Sequence, residues 1–333
     1  MTGARNEVFK KEEVGFYHCV SRCVRRAYLC GYDQLSGASF EHRRSWIRDR
    51  LSGLSKVFCI EIAAYAIMAN HLHTLIRNRP DIGAKLSPKD VAKRWLRLFP
   101  LRWVNGRPAE PNEFEIHTIT SDPEQVEIYR ERLCCISWLN RCMCEHIARR
   151  ANAEDKCTGR FWEGRFKSQR VHDLSGFLAC SVYIDLNPIR AGVSSTPEES
   201  DYTSVQDRIR ALKRAPLQHQ DLPVVSSYPP LLSIEEATNS QITTKEYLSL
   251  VDATGRVVVD GKGSIPSNLE EILVRLNIKP KSWLDTTTNY RHRFRRMVGP
   301  AQALIEAAEK AGKCWFHGIN AARGSRGACS AEF

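Results

Sequence analysis

Two imidazoles, a phenol and an amide carry the chemistry that can be read from this chain. His71-Leu72-His73 closes an apolar run, and further on Tyr183 and Asn187 stand four positions apart. Residues 62–76 are almost all apolar, which reads as buried strand rather than surface helix. Side chains alternate along a strand, so His71 and His73 share a face while Leu72 points into the opposite layer. Two neutral imidazoles side by side form half of a divalent-metal site. Met68-Ala69-Asn70 interrupts the run, which predicts two strands joined by a tight link, with the histidines on the second. Taken alone, His-x-His is equally the polar face of a sheet.

Residues 174–187 have helical spacing, with Phe177, Leu178, Val182 and Leu186 as an apolar stripe, and Pro188 predicts a helix end near Asn187. Tyr183 and Asn187 then share one helix face. A phenol with an ordinary pKa of about 10 is a poor nucleophile until its phenolate is stabilised or its target polarised. A metal held by His71, His73 and the Asn187 amide oxygen could polarise a phosphate beside it. The plainer reading is a core tyrosine capping a carbonyl and an asparagine ending a helix. Asp185 falls on a different helix face, and no general base is assigned.

Four stretches occur in order: Phe16-Tyr-His-Cys-Val-Ser-Arg22, Tyr65-Ala-Ile-Met-Ala-Asn-His-Leu-His73, Gly159-Arg-Phe-Trp-Glu-Gly-Arg-Phe-Lys-Ser168 and Tyr183-Ile-Asp-Leu-Asn-Pro-Ile-Arg-Ala-Gly192. Together they resemble single-tyrosine HUH transposases, in particular the REP-associated tyrosine transposase group, over roughly residues 10 to 200. The resemblance implies that His71 and His73 are the two metal ligands, Tyr183 the nucleophile and Asn187 the third ligand, where some related enzymes use Gln. It implies cleavage of single-stranded DNA through a 5'-phosphotyrosine with release of a 3'-hydroxyl, and Mg2+ or Mn2+ as cofactor. The chain departs from the pattern at Ala69, where many members have Pro, and at Cys23, where Gly often follows. Those changes touch the link and a turn.

The elements that must position these groups follow from the rest of the pattern. Residues 15–24 read as a first strand, with Phe16, His18 and Val20 on one face and Tyr17 and Cys19 on the other; His18 could sit near the active centre, but a sheet histidine outside the motif reads rather as structural. Residues 41–58 read as a helix burying Trp46, Ile47, Leu51, Leu54 and Val57, with charges outside. Residues 124–153 read as one long helix after Asp122-Pro123, burying Leu133, Ile136, Leu139, Met143 and Ile147. The order suggests an α+β fold, an antiparallel sheet with packed helices of the HUH endonuclease, ferredoxin- or RRM-like kind, plus a mainly helical C-terminal extension. Residues 1–200 form the expected catalytic domain, with 79–123 as an insertion carrying a helix at 88–98, and 201–333 a basic accessory region. Within that region 204–213 is a basic helix candidate, 215–230 reads as a linker, and 290–296 leads into a helix through 310.

The chain of 333 residues holds 49 Lys+Arg against 38 Asp+Glu, a net charge of +11, which favours a polyanionic partner. In residues 156–170 cations interleave with Phe161, Trp162 and Phe166, a combination suited to single-stranded DNA, although the aromatics could equally face the core. Arg160, Trp162, Arg165 and Lys167 are the candidates there, Arg190 follows the tyrosine helix, and Arg293, Arg295 and Arg296 could grip a hairpin stem. No apolar stretch reaches membrane-spanning length and the N-terminus lacks a signal-peptide core, so a cytoplasmic protein is expected, with single-stranded or hairpin DNA as partner and a homodimer as one option. The 12 cysteines are irregularly spaced and read as free buried thiols; Cys134, Cys135, Cys142 and Cys144 invite zinc but lie in helix without a ligand turn. Two rival readings remain: a non-catalytic, element-derived DNA-binding protein, and a zinc hydrolase, for which no further ligand motif is found.

Overall fold

In the computed structural model, residues 9–24, 29–33, 37–214, 229–260, 274 and 280–325 are described. The alternating segment at the start becomes strand β1 (Gly15–Arg22), followed by helix α1 (Arg43–Ser55) and the two strands of the apolar run, β2 (Ile60–Ile67) and β3 (His71–Asn78). Met68 N–H donates to the His71 carbonyl at 2.9 Å, closing the tight link at Ala69-Asn70. β1 pairs antiparallel with β3, Val20 opposite His73 and Arg22 opposite His71. After α2 (Pro80–Lys85), α3 (Pro88–Leu98), a small hairpin of β4 (Trp103–Val104) and β5 (Arg107–Pro108), α4 (Glu113–Thr120), α5 (Pro123–Leu133) and α6 (Ile136–Glu154), the chain returns as β6 (Lys167–Val171), antiparallel to β1. The sheet order is β2-β3-β1-β6, the arrangement of a ferredoxin-like fold, extended by a short parallel strand, β7 (Met297–Val298).

One face of the sheet, with Tyr17, Cys19, Ile62, Tyr65, Leu72 and Ile76, is closed by α1 and α6 through Ile47, Leu51, Leu139, Met143 and Ile147. The opposite face, with Phe16, Ala64, Ala66 and Leu75, is closed by α7 (Leu174–Asp185) and by elements beyond residue 230. Those later elements are α10 (Ile234–Ala237), α11 (Thr244–Asp260), α12 (Pro280–Thr288) and α13 (Tyr290–Arg293), which contribute Ile234, Tyr247, Leu250, Trp283 and Tyr290 to the same core. Before them come the single turn α8 (Asn187–Arg190) and α9 (Ser204–Arg214); after them come α14 (Ala301–Lys310) and α15 (Ile319–Ser325). The free edge of β2 is covered rather than left to pair with another chain: Leu232 N–H donates to the Ile62 carbonyl at 2.8 Å and Ile67 N–H to the Tyr202 carbonyl at 3.1 Å.

Three local expectations are corrected. The single helix at 124–153 is two, because Cys59 N–H takes the Leu133 carbonyl at 2.9 Å and Cys135 is extended, with ψ 117°. The path from Tyr290 to Lys310 is broken by β7, where His172 N–H donates to the Val298 carbonyl at 2.8 Å before Gly299-Pro300. Arg43 of α1 is buried instead of facing solvent, paired through Nε with Glu154 at 2.5 Å and through its guanidinium with Asp155. Nearly all of the 215–230 linker lies outside the described residues. Among the described residues no helix is long and apolar enough to cross a membrane.

Candidate metal and tyrosine site

Strand alternation places His71 and His73 on the face that α7 covers, with ring centroids 4.7 Å apart. Leu72 between them enters the opposite core, as the spacing requires. Helix α7 starts where Asp173 caps it, accepting from Gly176 N–H at 3.0 Å. Helix geometry then carries Tyr183 to the histidines: its ring lies 5.7 Å from that of His73, almost perpendicular at 85°. The helix ends at Asp185, slightly before Asn187, which opens α8; the Asn187 Nδ2 donates back to the Tyr183 carbonyl at 3.4 Å. That contact uses the amide nitrogen, so Oδ1 is the atom of the amide left to accept.

Burial pushes His71 down to about 4, helped by the cations Arg22 and Arg291 and by His18, and holds His73 well below the usual imidazole range for the same reason. Both rings are therefore neutral near pH 7, the form that binds metal. In each ring Nδ1 is the hydrogen-bonded nitrogen, His71 to Asn70 Oδ1 at 2.5 Å and His73 to His18 Nε2 at 2.9 Å, which leaves Nε2 for a ligand. The two Nε2 atoms thus supply the imidazole half of a divalent-metal site. Among the described residues no cluster of three or more His, Cys, Asp or Glu side chains is arranged for a metal. Cys134, Cys142 and Cys144 do not converge: Cys142 packs toward α1, and Cys144 Sγ lies 3.5 Å from Ser21 Oγ.

The cationic candidates divide by setting. Arg160, Arg165 and Lys167 are exposed. Trp162 is half-buried, donating its indole N–H to the Cys144 carbonyl at 2.8 Å, and neighbouring Phe161 is in the core. Arg190 sits against the nucleophile candidate, its Cζ 5.5 Å from the centre of the Tyr183 ring. Arg295 is exposed and Arg296 half-buried; Arg293 closes α13, and its side chain lies outside the described residues.

Three residues near the site were not singled out from sequence, and a fourth, His18, was weighed for the active centre but read as structural. Arg22, opposite His71 in the ladder, and exposed Arg291 both act on the histidines electrostatically. The strand-one motif held Arg22 in view, and only the register shows its use. His18 and Gln169 are the others; period-two alternation already placed His18 on the right face, but pairing of β1 with β6 was needed to bring Gln169 opposite it.

No family model and no curated protein matches the chain. Among solved structures, one described as the REP-associated tyrosine transposase bound to a REP hairpin is similar at 11% identity over 70% of this chain and 100% of that one, with a TM-score of 0.34.

Proposed function

We propose that this chain is a metal-dependent single-strand DNA endonuclease and strand transferase of the transposase kind, with Tyr183 as nucleophile. The observation that carries the reading is the approach of the Tyr183 ring to His73, 5.7 Å away, on the one sheet face that holds both histidines. In the reaction the Tyr183 hydroxyl oxygen bonds to the scissile phosphorus while the bond to the 3'-oxygen breaks. The phenol loses its proton and the departing 3'-oxygen gains one, leaving a 5'-phosphotyrosine and a free 3'-hydroxyl. Attack by a 3'-hydroxyl on that linkage reverses the step and joins strands without water or ATP. Mg2+ or Mn2+ held by His71, His73 and Asn187 would supply Lewis-acid polarisation of the phosphate. Arg22, Arg190 and Arg291 put positive charge beside this point, and Arg160, Arg165, Lys167, Arg295 and Arg296 would offer further cations to the phosphates of a DNA strand.

The test is incubation of the protein with labelled single-stranded DNA carrying the hairpins that flank its gene, with Mn2+ or Mg2+, followed by denaturing electrophoresis. A covalent adduct that disappears in Tyr183→Phe and in His71→Ala is the expected result. Tight binding with no adduct under any metal overturns the catalytic reading in favour of a DNA-binding protein.

A further inference from the structure

His18 of β1 and Gln169 of β6 are drawn together by register, yet neither has a part in the chemistry proposed above. Gln169 Nε2 donates to the Phe294 carbonyl. A carbonyl only accepts, so the amide nitrogen must face Phe294 and Oε1 must face His18. Oε1 also only accepts, so His18 Nδ1, 2.9 Å away, carries a proton. With Nδ1–H given to Gln169 and no carboxylate at either nitrogen, the one-proton imidazole of His18 turns its Nε2 lone pair toward His73. That lone pair lies 2.9 Å from His73 Nδ1, which must therefore be the donor. His73 is buried, 3% exposed, so its second nitrogen is unprotonated.

We infer that Gln169 and His18 form a positioning relay, anchored on the Phe294 carbonyl, that holds His73 in its Nδ1–H tautomer and keeps Nε2 open to a divalent cation. Each link is fixed by the one before it, and the first is a backbone group whose polarity cannot reverse. Phe294 is itself buried in the core beside Tyr290 and is followed directly by β7, so the C-terminal region sets the state of a ligand on β3. Groups that hydrogen-bond to a metal-binding imidazole fix its orientation and raise its basicity, and losing them typically weakens metal binding about 10–100-fold. The identity of the ligand rests on the metal-site reading above; the direction of the relay does not.

Nitrogen-15 NMR of the histidine rings in metal-free, full-length protein, paired with Mn2+ titration of the same samples, tests this. The expected result is His73 protonated at Nδ1 in the wild type. Gln169→Met, which keeps the side chain's bulk but removes the acceptor, should give mixed His73 tautomers and lower Mn2+ affinity by about 10–100-fold. His18→Gln, whose amide oxygen can still accept from His73, should keep the Nδ1–H form and most of the affinity. His73 protonated at Nε2 in the wild type overturns the relay whatever the variants do, as does a folded Gln169→Met protein with unchanged tautomer and affinity. A tautomer that responds to Gln169→Met in a protein that never binds Mn2+ supports the relay and overturns the metal assignment instead.

Discussion

The ring of Tyr290 is stacked on that of Tyr183, centroids 5.0 Å apart and planes 20° from parallel. Tyr290 is fully buried, so a residue from beyond the tyrosine helix forms one wall of the position of Tyr183. The basic C-terminal region is therefore part of the site. Tyr290→Phe should keep the stack and retain adduct formation. Tyr290→Ala should cost about 3–5 kcal/mol in chemical denaturation and reduce adduct yield even where the protein is fully folded. Normal adduct yield from folded Tyr290→Ala would show that the stack does not position Tyr183.

Arg190 stands out because Nε, Nη1 and Nη2 are all buried without a hydrogen-bond partner, and burial lowers its pKa to about 10. A guanidinium whose folded pKa is below its unfolded value is a net cost to folding at neutral pH, where it is charged in both states. Such a group is expected where an anion completes it. Arg190→Met should raise stability by about 1–3 kcal/mol while weakening single-stranded DNA binding. If Arg190 neutralises one phosphate, the slope of log affinity against log salt should flatten by about 0.7. A destabilised variant with an unchanged slope would make Arg190 a packing residue.

Asp185, two residues from the nucleophile candidate, ties α7 to the elements beyond it. Its buried carboxylate accepts from Ser204 Oγ at 2.5 Å, Val205 N–H at 3.1 Å and the Tyr247 hydroxyl at 2.6 Å. Asp185→Ala leaves the Val205 N–H and the Tyr247 hydroxyl unpaired and should cost about 3–5 kcal/mol in urea denaturation. Under conditions where the variant is folded, the pH profile of adduct formation should keep its shape. A displaced profile would make Asp185 a proton-transfer group.

Period-two and helical patterns were enough to put His71 and His73 on one sheet face and Tyr183 on the helix against it, because each sits on an element whose repeat fixes its direction. The strand-one face of His18 was legible for the same reason. Its role was not, since the bond to His73 depends on β1 pairing with β3, and Gln169 depends on β6 pairing with β1, both long-range choices. The break at Cys134-Cys135 carries no Gly or Pro signal; it exists because Cys59 draws off the Leu133 carbonyl. Composition set 201–333 apart as a basic accessory region, but composition cannot report that Trp283, Tyr290 and Phe294 enter the core around α7.

Acid should weaken the fold through imidazoles that are buried neutral. Burial brings His18 down to about 4, opposed by its bond to Gln169, and brings His172 to about 4 with help from Arg170 and Lys310 against Glu13. In the unfolded chain a histidine titrates at about 6.5, so from there down to about 4 the unfolded state binds protons that the folded state refuses. The stability linked to each ring is complete above the unfolded value and is lost across that window, about 2 kcal/mol per ring between pH 7 and pH 5. Asp185 and Asp207, raised by burial, shift in the opposite sense, so the difference between wild type and variant is the quantity to read. Urea denaturation in metal-free buffer should show the pH 7 to pH 5 loss reduced by about 2 kcal/mol in His18→Gln and again in His172→Leu. Equal losses in wild type and both variants would mean that these rings take up protons in the folded protein, which their burial forbids.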